Sequence, residues 1–506
     1  MKLIAYDLGT GGIKSSLFDE NGHSLAESFI QYETYFPQKG WHEQAPMDWW
    51  RGVCASTKRL LEISGCDSKD IVAAALSGHN YVTVPMSRSG ELLSERVPIW
   101  CDMRAYEMAD AFFREIPYED WYMRTGCGDP PECYPVLKLA WLKKYHRGLY
   151  DRADVLIGSK DFVNFKFTGR MCTDPAYAAG FGVFNLRKWD YDADIFSASG
   201  LNRSKFPEII PTDAVVGTVT AEAAAETGLR AGMPIACGAG DNTCMALGAR
   251  GIGEGRSYTS LGSSSWIAVT AQEPILDFAT KPFIFPLAQR GWYTSAVSIF
   301  SAGNTNRWVR DNLCKDLLPE EEKYNLMNEL ASNVPIGSNG LLFNPTLAGG
   351  SAQEISPNLR GSIVGLTLGN TRDDIIRACM EGVSMALRCT LDILKKSVAL
   401  DDEMLICGGG SKSKLWRQIF ADVYNMTVVK TNVDQDCASL GAAAIAANAV
   451  GMWDGYDIID RIHMVEAKQP PIPENNAKYE QLLEVYKAWT DAYAGICEKL
   501  AEMDRQ

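Results

Sequence analysis

The chain has 506 residues, about three times a typical single domain, so more than one folding unit is expected. Apolar residues make up 46% and charged residues 22%, the composition of a packed globular protein, which rules out a chain that is mainly disordered. Forty-nine basic residues against 63 acidic ones leave a net charge of −14, which argues against a nucleic-acid binder with its cationic face. The 14 cysteines are scattered without a C-x-x-C pair and read as reduced, packed thiols of a cytosolic protein. No signal peptide is expected ahead of the first strand. The apolar stretch at Ala442–Val450 is broken by Asn448 and too short to span a bilayer, so a soluble, cytoplasmic protein is expected.

In chain order, Lys2–Asp7 is a short apolar run ending in a carboxylate. D-L-G-T-G-G-I-K (Asp7–Lys14), S-S-L-F and D-E-N-G (Asp19–Gly22) follow, predicting strand, Gly-rich turn, strand, Asn-Gly turn and strand. Residues 45–61 place Trp49, Trp50 and Val53 on one helical face. Residues 71–76 predict a buried strand running into Ser77–Asn80, and 137–145 another helix. A strand at Met233–Cys237 leads into G-A-G-D-N (Gly238–Asn242). Residues 257–260 with L-G-S-S-S (Leu261–Ser265) then echo the N-terminal hairpin. The echo predicts an internal duplication with its seam at 245–256, where Gly248, Gly251, Gly253 and Gly255 suit a hinge. Farther on come a helix at 373–391, a strand at 404–407 stopping at Gly408–Gly410, and a small-residue helix at 439–450 capped by Gly451. A last helix over 479–500 carries Tyr479, Leu483, Tyr486, Tyr493, Ile496 and Leu500 as a stripe expected to pack in the core.

Three Gly-rich turns follow strands, at Gly9–Gly12, Gly262–Ser265 and Gly408–Gly410. Glycine lets backbone amides approach an anion closely, although most such turns are only turns. Neither a P-loop nor a G-x-G-x-x-G fingerprint occurs, so phosphate binding here has to use hairpins. Asp7 and Asp241 each end an apolar strand beside such a turn. An aspartate in a turn often only caps it. As a pair facing each other across a cleft from the two halves, these carboxylates would hold Mg²⁺ through water, and one would accept a hydroxyl proton. That is the equipment of phosphoryl transfer from ATP to an alcohol.

These residues resemble the FGGY carbohydrate kinases, in particular their xylulokinase-like branch. The match runs in family order from residue 3 to about residue 453. It comprises D-L-G-T-G-G-I-K, G-W-H-E-Q (Gly40–Gln44), S-G-H-N-Y (Ser77–Tyr81), W-C-D-M-R (Trp100–Arg104) and P-V-L-K-L-A-W-L (Pro135–Leu142), then T-G (Thr168, Gly169) and T-D (Thr173, Asp174). The second half adds G-A-G-D-N, S-L-G-S-S (Ser260–Ser264), A-G (Ala302, Gly303), R-A-C-M-E-G (Arg377–Gly382), G-G-G-S-K-S-K-L-W-R-Q (Gly408–Gln418) and A-S-L-G-A-A (Ala438–Ala443).

The resemblance implies an α/β, actin-like sugar-kinase fold of two ribonuclease-H-like domains with an interdomain cleft, divided here as 1–246 and 247–506. It implies Asp241 as general base, Asp7 across the cleft at the metal, and ATP with Mg²⁺ as donor. The ATP side would comprise Thr10, Gly11, Lys14, Gly262, Ser263, Gly303, Gly409, Gly410 and Ser413. The acceptor side would comprise His79, Asn80, Tyr81, Trp100, Asp102, Asp241 and Asn242. The partners implied are ATP and a sugar or polyol, with a homodimer as the assembly it raises, and neither nucleic acid nor membrane.

The sugar-side motifs depart from the family more than the ATP-side ones. His79-Asn80-Tyr81 stands where xylulokinases have Gln-Met-His, P-T-L-A-G-G-S (Pro345–Ser351) lacks the two charges of P-Y-L-x-G-E-R, and Ala176 replaces a usual serine. A ketopentose such as D-xylulose is the first expectation. L-Ribulose, L-fuculose, gluconate, glycerol, erythritol and erythrulose are the alternatives. An actin-like ATPase without a small acceptor is disfavoured by G-W-H-E-Q and the sugar-side residues. A non-catalytic sugar sensor is disfavoured by the retention of Asp7, Thr10 and Asp241.

Overall fold

The computed structural model describes residues 1–351 and 354–504, so residues 352–353 and 505–506 of the second expected domain lie outside it. The N-terminal run folds as an antiparallel meander, β1 (Lys2–Leu8), β2 (Gly12–Asp19) and β3 (Ser24–Gln31), as its turns predict. Helix α1 (Pro46–Ser64) starts on a proline and ends at Gly65, whose φ of 62° suits a residue without a Cβ. It buries Trp49, Trp50 and Val53. Strand β4 (Ile71–Gly78) lies parallel to β1 on the side away from β2, and β1 is covered on both faces, as a central strand should be. With β5 (Val215–Thr218) and β6 (Pro234–Ala236) the order is β5-β6-β4-β1-β2-β3, and the short β7 (Ala239–Gly240) pairs with the end of β4.

A second sheet repeats the plan. Strands β8 (Ser257–Leu261) and β9 (Ser265–Ala271) form the hairpin, β10 (Phe283–Pro286) and β11 (Tyr293–Ile299) extend it, and β12 (Glu403–Cys407) runs parallel to β8. Strands β13 (Thr427–Thr431) and β14 (Val465–Gln469) complete the order β10-β11-β9-β8-β12-β13-β14. In both halves an antiparallel hairpin is flanked by a parallel strand, so the duplicated hairpins are real.

Two helices join the halves. Helix α2 (Asp241–Arg250) leaves the first sheet and reaches β8, β10, β11 and β12 of the second. Helix α3 (Cys437–Ala449) leaves the second and packs on β1 and β4 of the first. They cross with almost no space between them. A Cβ on Gly248 would lie 1.8 Å from the Cys437 carbonyl oxygen, and one on Gly441 would lie 1.9 Å from that of Cys244. The expected seam at 245–256 is therefore half helix: residues 245–250 belong to α2, and the chain turns only from Gly251, at φ 65°. The expected division between residues 246 and 247 falls inside α2.

The last helix, α4 (Pro473–Asp504), buries Tyr479, Leu483 and Tyr486, but Ile496 is 55% exposed, and Ala494 and Cys497 supply the buried side there. All 14 cysteines are unpaired, and all but Cys54, Cys101 and Cys389 are buried. Among the described residues no helix is long and apolar enough to cross a membrane.

Candidate active site

Three adjacent strand ends of the first sheet build the acidic centre. Asp7 lies near the end of β1, opposite Lys14 of β2, and its Oδ1 accepts a hydrogen bond from the Ser77 hydroxyl of β4 at 2.8 Å. Asp241 opens α2 directly after β7, which pairs with Ser77 and Gly78. Its Oδ1 accepts from Asn80 Nδ2 at 2.7 Å, from the Asn242 N–H at 2.8 Å and from Asn242 Nδ2 at 3.2 Å. Among the described residues Oδ2 has no such donor. Burial, with the charge of Asp7 added to it, pushes the Asp241 carboxyl up to about 7. Burial also raises Asp7, against the pull of Ser77 and Lys14. The two carboxylates thus lie close enough to feel each other, but they do not come from opposite lobes as expected. The pairing of β7 with β4 puts Asp241 on the same sheet as Asp7, a long-range contact that strand spacing alone does not reveal.

Thr10 and Gly11 form the tip of the β1–β2 turn. The Thr10 hydroxyl accepts from Trp100 Nε1 at 2.9 Å, and its carbonyl accepts from Gln44 Nε2 at 2.7 Å. Trp100, expected on the acceptor side, is 44% exposed and so touches the expected phosphate turn. The Lys14 ammonium bridges the halves: it contacts Asp436, just ahead of α3, and lies 3.3 Å from Glu27.

Across the gap, the second sheet's turns line a cavity of about 470 Å³, and Gly262, Ser263, Gly303, Gly409, Gly410 and Ser413 all face it. Gly303 has to be glycine, because a Cβ there would meet the Gly262 carbonyl oxygen at 2.4 Å. The cavity also takes in Arg307, Asn325, Asn328 and Gln435, which the sequence reading missed. Ser413 donates its hydroxyl to Asn328 at 2.7 Å. The asparagines lie on a helix at Lys323–Ser332 without any signature; their spacing of three was the only signal. Gln435, on the rim of the cavity, precedes the Asp436 that holds Lys14.

On the acceptor side Asn80 meets Asp241, and Asn242 touches it as well. Tyr81 donates its hydroxyl to Asp129, another residue the sequence reading missed. Two expected contacts do not fit. His79 is 1% exposed, its Nδ1 faces the Leu8 carbonyl at 3.0 Å, and its ring packs edge-on against Trp49. Burial lowers its pKa to about 4, and it is a neutral core group. Asp102 is fully buried, and its two oxygens accept from the Arg104 N–H, Arg104 Nε, Arg104 Nη2 and the His42 N–H. Four donors leave it nothing for a sugar; it braces the loop that carries Trp100.

Two carboxylates with one free oxygen each, embedded yet reached by solvent, suit Mg²⁺, which takes one or two carboxylates and completes its shell with phosphate oxygens and water. Among the described residues no group of three His, Cys, Asp or Glu side chains forms a metal site on its own.

Residues 2–248 match the N-terminal domain of the FGGY family of carbohydrate kinases, and residues 257–450 match its C-terminal domain. A xylulose kinase of Bacillus subtilis is 28% identical over 487 residues, 96% of either chain. The crystal structure of a ligand-bound xylulose kinase from Lactobacillus acidophilus superposes with a TM-score of 0.91 at 26% identity, over 99% of both chains. A gluconate kinase from the same organism reaches 0.90, also at 26% identity and 99% coverage of both. The fold is the two-domain, actin-like sugar-kinase fold.

Proposed function

We propose that this chain, which belongs to the FGGY family of carbohydrate kinases and uses ATP, phosphorylates a hydroxyl of a ketopentose such as D-xylulose, with Asp241 as the general base. The observation that carries this reading is the Asp241 carboxylate: three donors occupy Oδ1, and Oδ2 is left for an incoming hydroxyl.

A sugar hydroxyl is a poor acid at neutral pH, and a positioned carboxylate that takes its proton contributes roughly 10²–10⁴-fold. Asn80 and Asn242 fix the carboxylate so that Oδ2 faces the acceptor. The turns at Gly9–Gly12 and Gly262–Ser263 offer backbone amides to the phosphates, with Thr10, Gly11 and Lys14 on one side and Gly303, Gly409, Gly410 and Ser413 along the nucleotide. Asp7 and Asp241 are the residues that would hold Mg²⁺, through water so that Oδ2 of Asp241 stays free for the hydroxyl, and the ion's contribution would be to neutralise charge on the phosphates. Tyr81 and Trp100 wall the acceptor, and closing the lobes about the crossing of α2 and α3 excludes water as a rival nucleophile. A cytoplasmic homodimer completes the reading, and light scattering on the purified protein checks the assembly.

Overall similarity does not choose the acceptor, since a xylulose and a gluconate kinase resemble the chain equally well. ADP release over a panel of D-xylulose, L-ribulose, D-ribulose, L-xylulose, erythrulose, glycerol and gluconate tests the proposal. A best kcat/KM for a ketopentose is expected, and no acceptor-dependent ADP release would refute it.

A further inference from the structure

The wall that meets Asp241 continues through consecutive residues. Asn80 donates to Asp241, and Tyr81, next along the chain, donates its hydroxyl to Asp129 Oδ2 at 2.8 Å. Tyr134 closes the group: its hydroxyl accepts the Asp129 N–H at 3.1 Å and lies 3.3 Å from the Tyr81 hydroxyl, with the two rings 4.5 Å apart. Tyr81 sits at φ 62°, the left-handed region a tyrosine rarely adopts, so the surrounding packing overrides the backbone's preference to aim this side chain. Phe285 of β10 stacks on Tyr81 at 6.3 Å, which puts the cluster where the two lobes meet.

Asp129 keeps some solvent exposure, and its Oδ1 has no donor among the described residues. Among the described residues no cation forms an ion pair with it. Arg104 is spent on Asp102 and Glu43, each within 2.8 Å. The buried Lys138 ammonium is spent on the carbonyls of Tyr81, Ile99 and Trp100 at 2.6–3.4 Å. A carboxylate in this state favours O–H donors and opposes a second anion.

We propose that Asp129, braced by Tyr81, lines the acceptor pocket away from the transferred hydroxyl and selects uncharged polyhydroxy acceptors, ketoses or polyols, against aldonates. This inference rests on the kinase reading above and deepens it.

The test measures ADP release at saturating MgATP with D-xylulose, L-ribulose, glycerol and D-gluconate, for the native chain, Asp129→Asn and Tyr81→Phe. The native chain should prefer its best neutral acceptor over gluconate by about 10²-fold or more in kcat/KM. Asp129→Asn should raise the KM of that acceptor about tenfold, change kcat by less than about threefold, and narrow the neutral-to-gluconate ratio about tenfold. Tyr81→Phe should move the ratio the same way by less. A native chain that uses gluconate as well as a neutral acceptor overturns the proposal while leaving the kinase reading intact. So does an Asp129→Asn variant that binds MgATP normally with an unchanged ratio. A native chain that binds MgATP but turns over no acceptor refutes the kinase reading, and this proposal with it. If Asp129→Asn does not fold, the native ratio and Tyr81→Phe decide.

Discussion

The two hairpins are built alike but equipped differently. One turn reads D-L-G-T-G-G from Asp7, the other S-L-G-S-S-S from Ser260, and each closes an antiparallel pair beside a parallel strand. At the position of the Asp7 carboxylate the second hairpin has the hydroxyl of Ser260. The first sheet also gathers Asp241, Asn80 and Asn242 at its strand ends, whereas the second surrounds a cavity with glycines and neutral amides. The scaffold is repeated and its equipment is not: on the function proposed above, the first half carries the proton-transfer groups and the second the nucleotide's berth.

The sharpest way to break this comparison is to remove the charge that only the first half has. Asp241→Asn should lower kcat by about 10²-fold or more, since an amide cannot accept the proton, while nucleotide binding measured by calorimetry persists. The same variant should melt at a higher temperature than the native chain at pH 8. Burial raises Asp241 to about 7, so the folded state holds a proton that an unfolded aspartate has released, and this contribution to stability is lost as pH rises through 7. Equal melting temperatures at pH 8 would contradict the burial assigned to Asp241.

A pH series gives the next effect. The base form of Asp241 exists above about 7, so acceptor kcat/KM should fall about tenfold per unit below that pH and level off above it. A profile flat down to pH 5.5 would assign the proton transfer elsewhere. The smallest effect is expected at the bridge between the halves. Lys14→Met removes the contact with Asp436 and Glu27, and the KM for ATP should rise several-fold with little change in the KM of the acceptor. A change confined to the acceptor KM would move Lys14 to the other side of the division.

Local chemistry made much of this legible. The glycine turns, the apolar runs before Asp7 and Asp241 and the tryptophan face of α1 follow from short-range rules, and the structure has them. Which sheet carries Asp241 was hidden, because the pairing of β7 with β4 joins segments some 160 residues apart in sequence. Motif adjacency also misled: His79 and Asp102 sit within sugar-side motifs, yet one points into the Trp49 core and the other into Arg104. Asp129 and the cavity asparagines acquire meaning only from neighbours distant in the chain.

Because α2 and α3 each lean on the opposite sheet and touch through Gly248 and Gly441, neither half owns a finished interior. Expressed separately, each would present a raw apolar flank, whereas the halves cut within 251–256 and mixed should reassemble. Any opening of the gap has to swivel about that glycine crossing, as scissors do about a rivet, since prying the blades apart would strip both interiors at once.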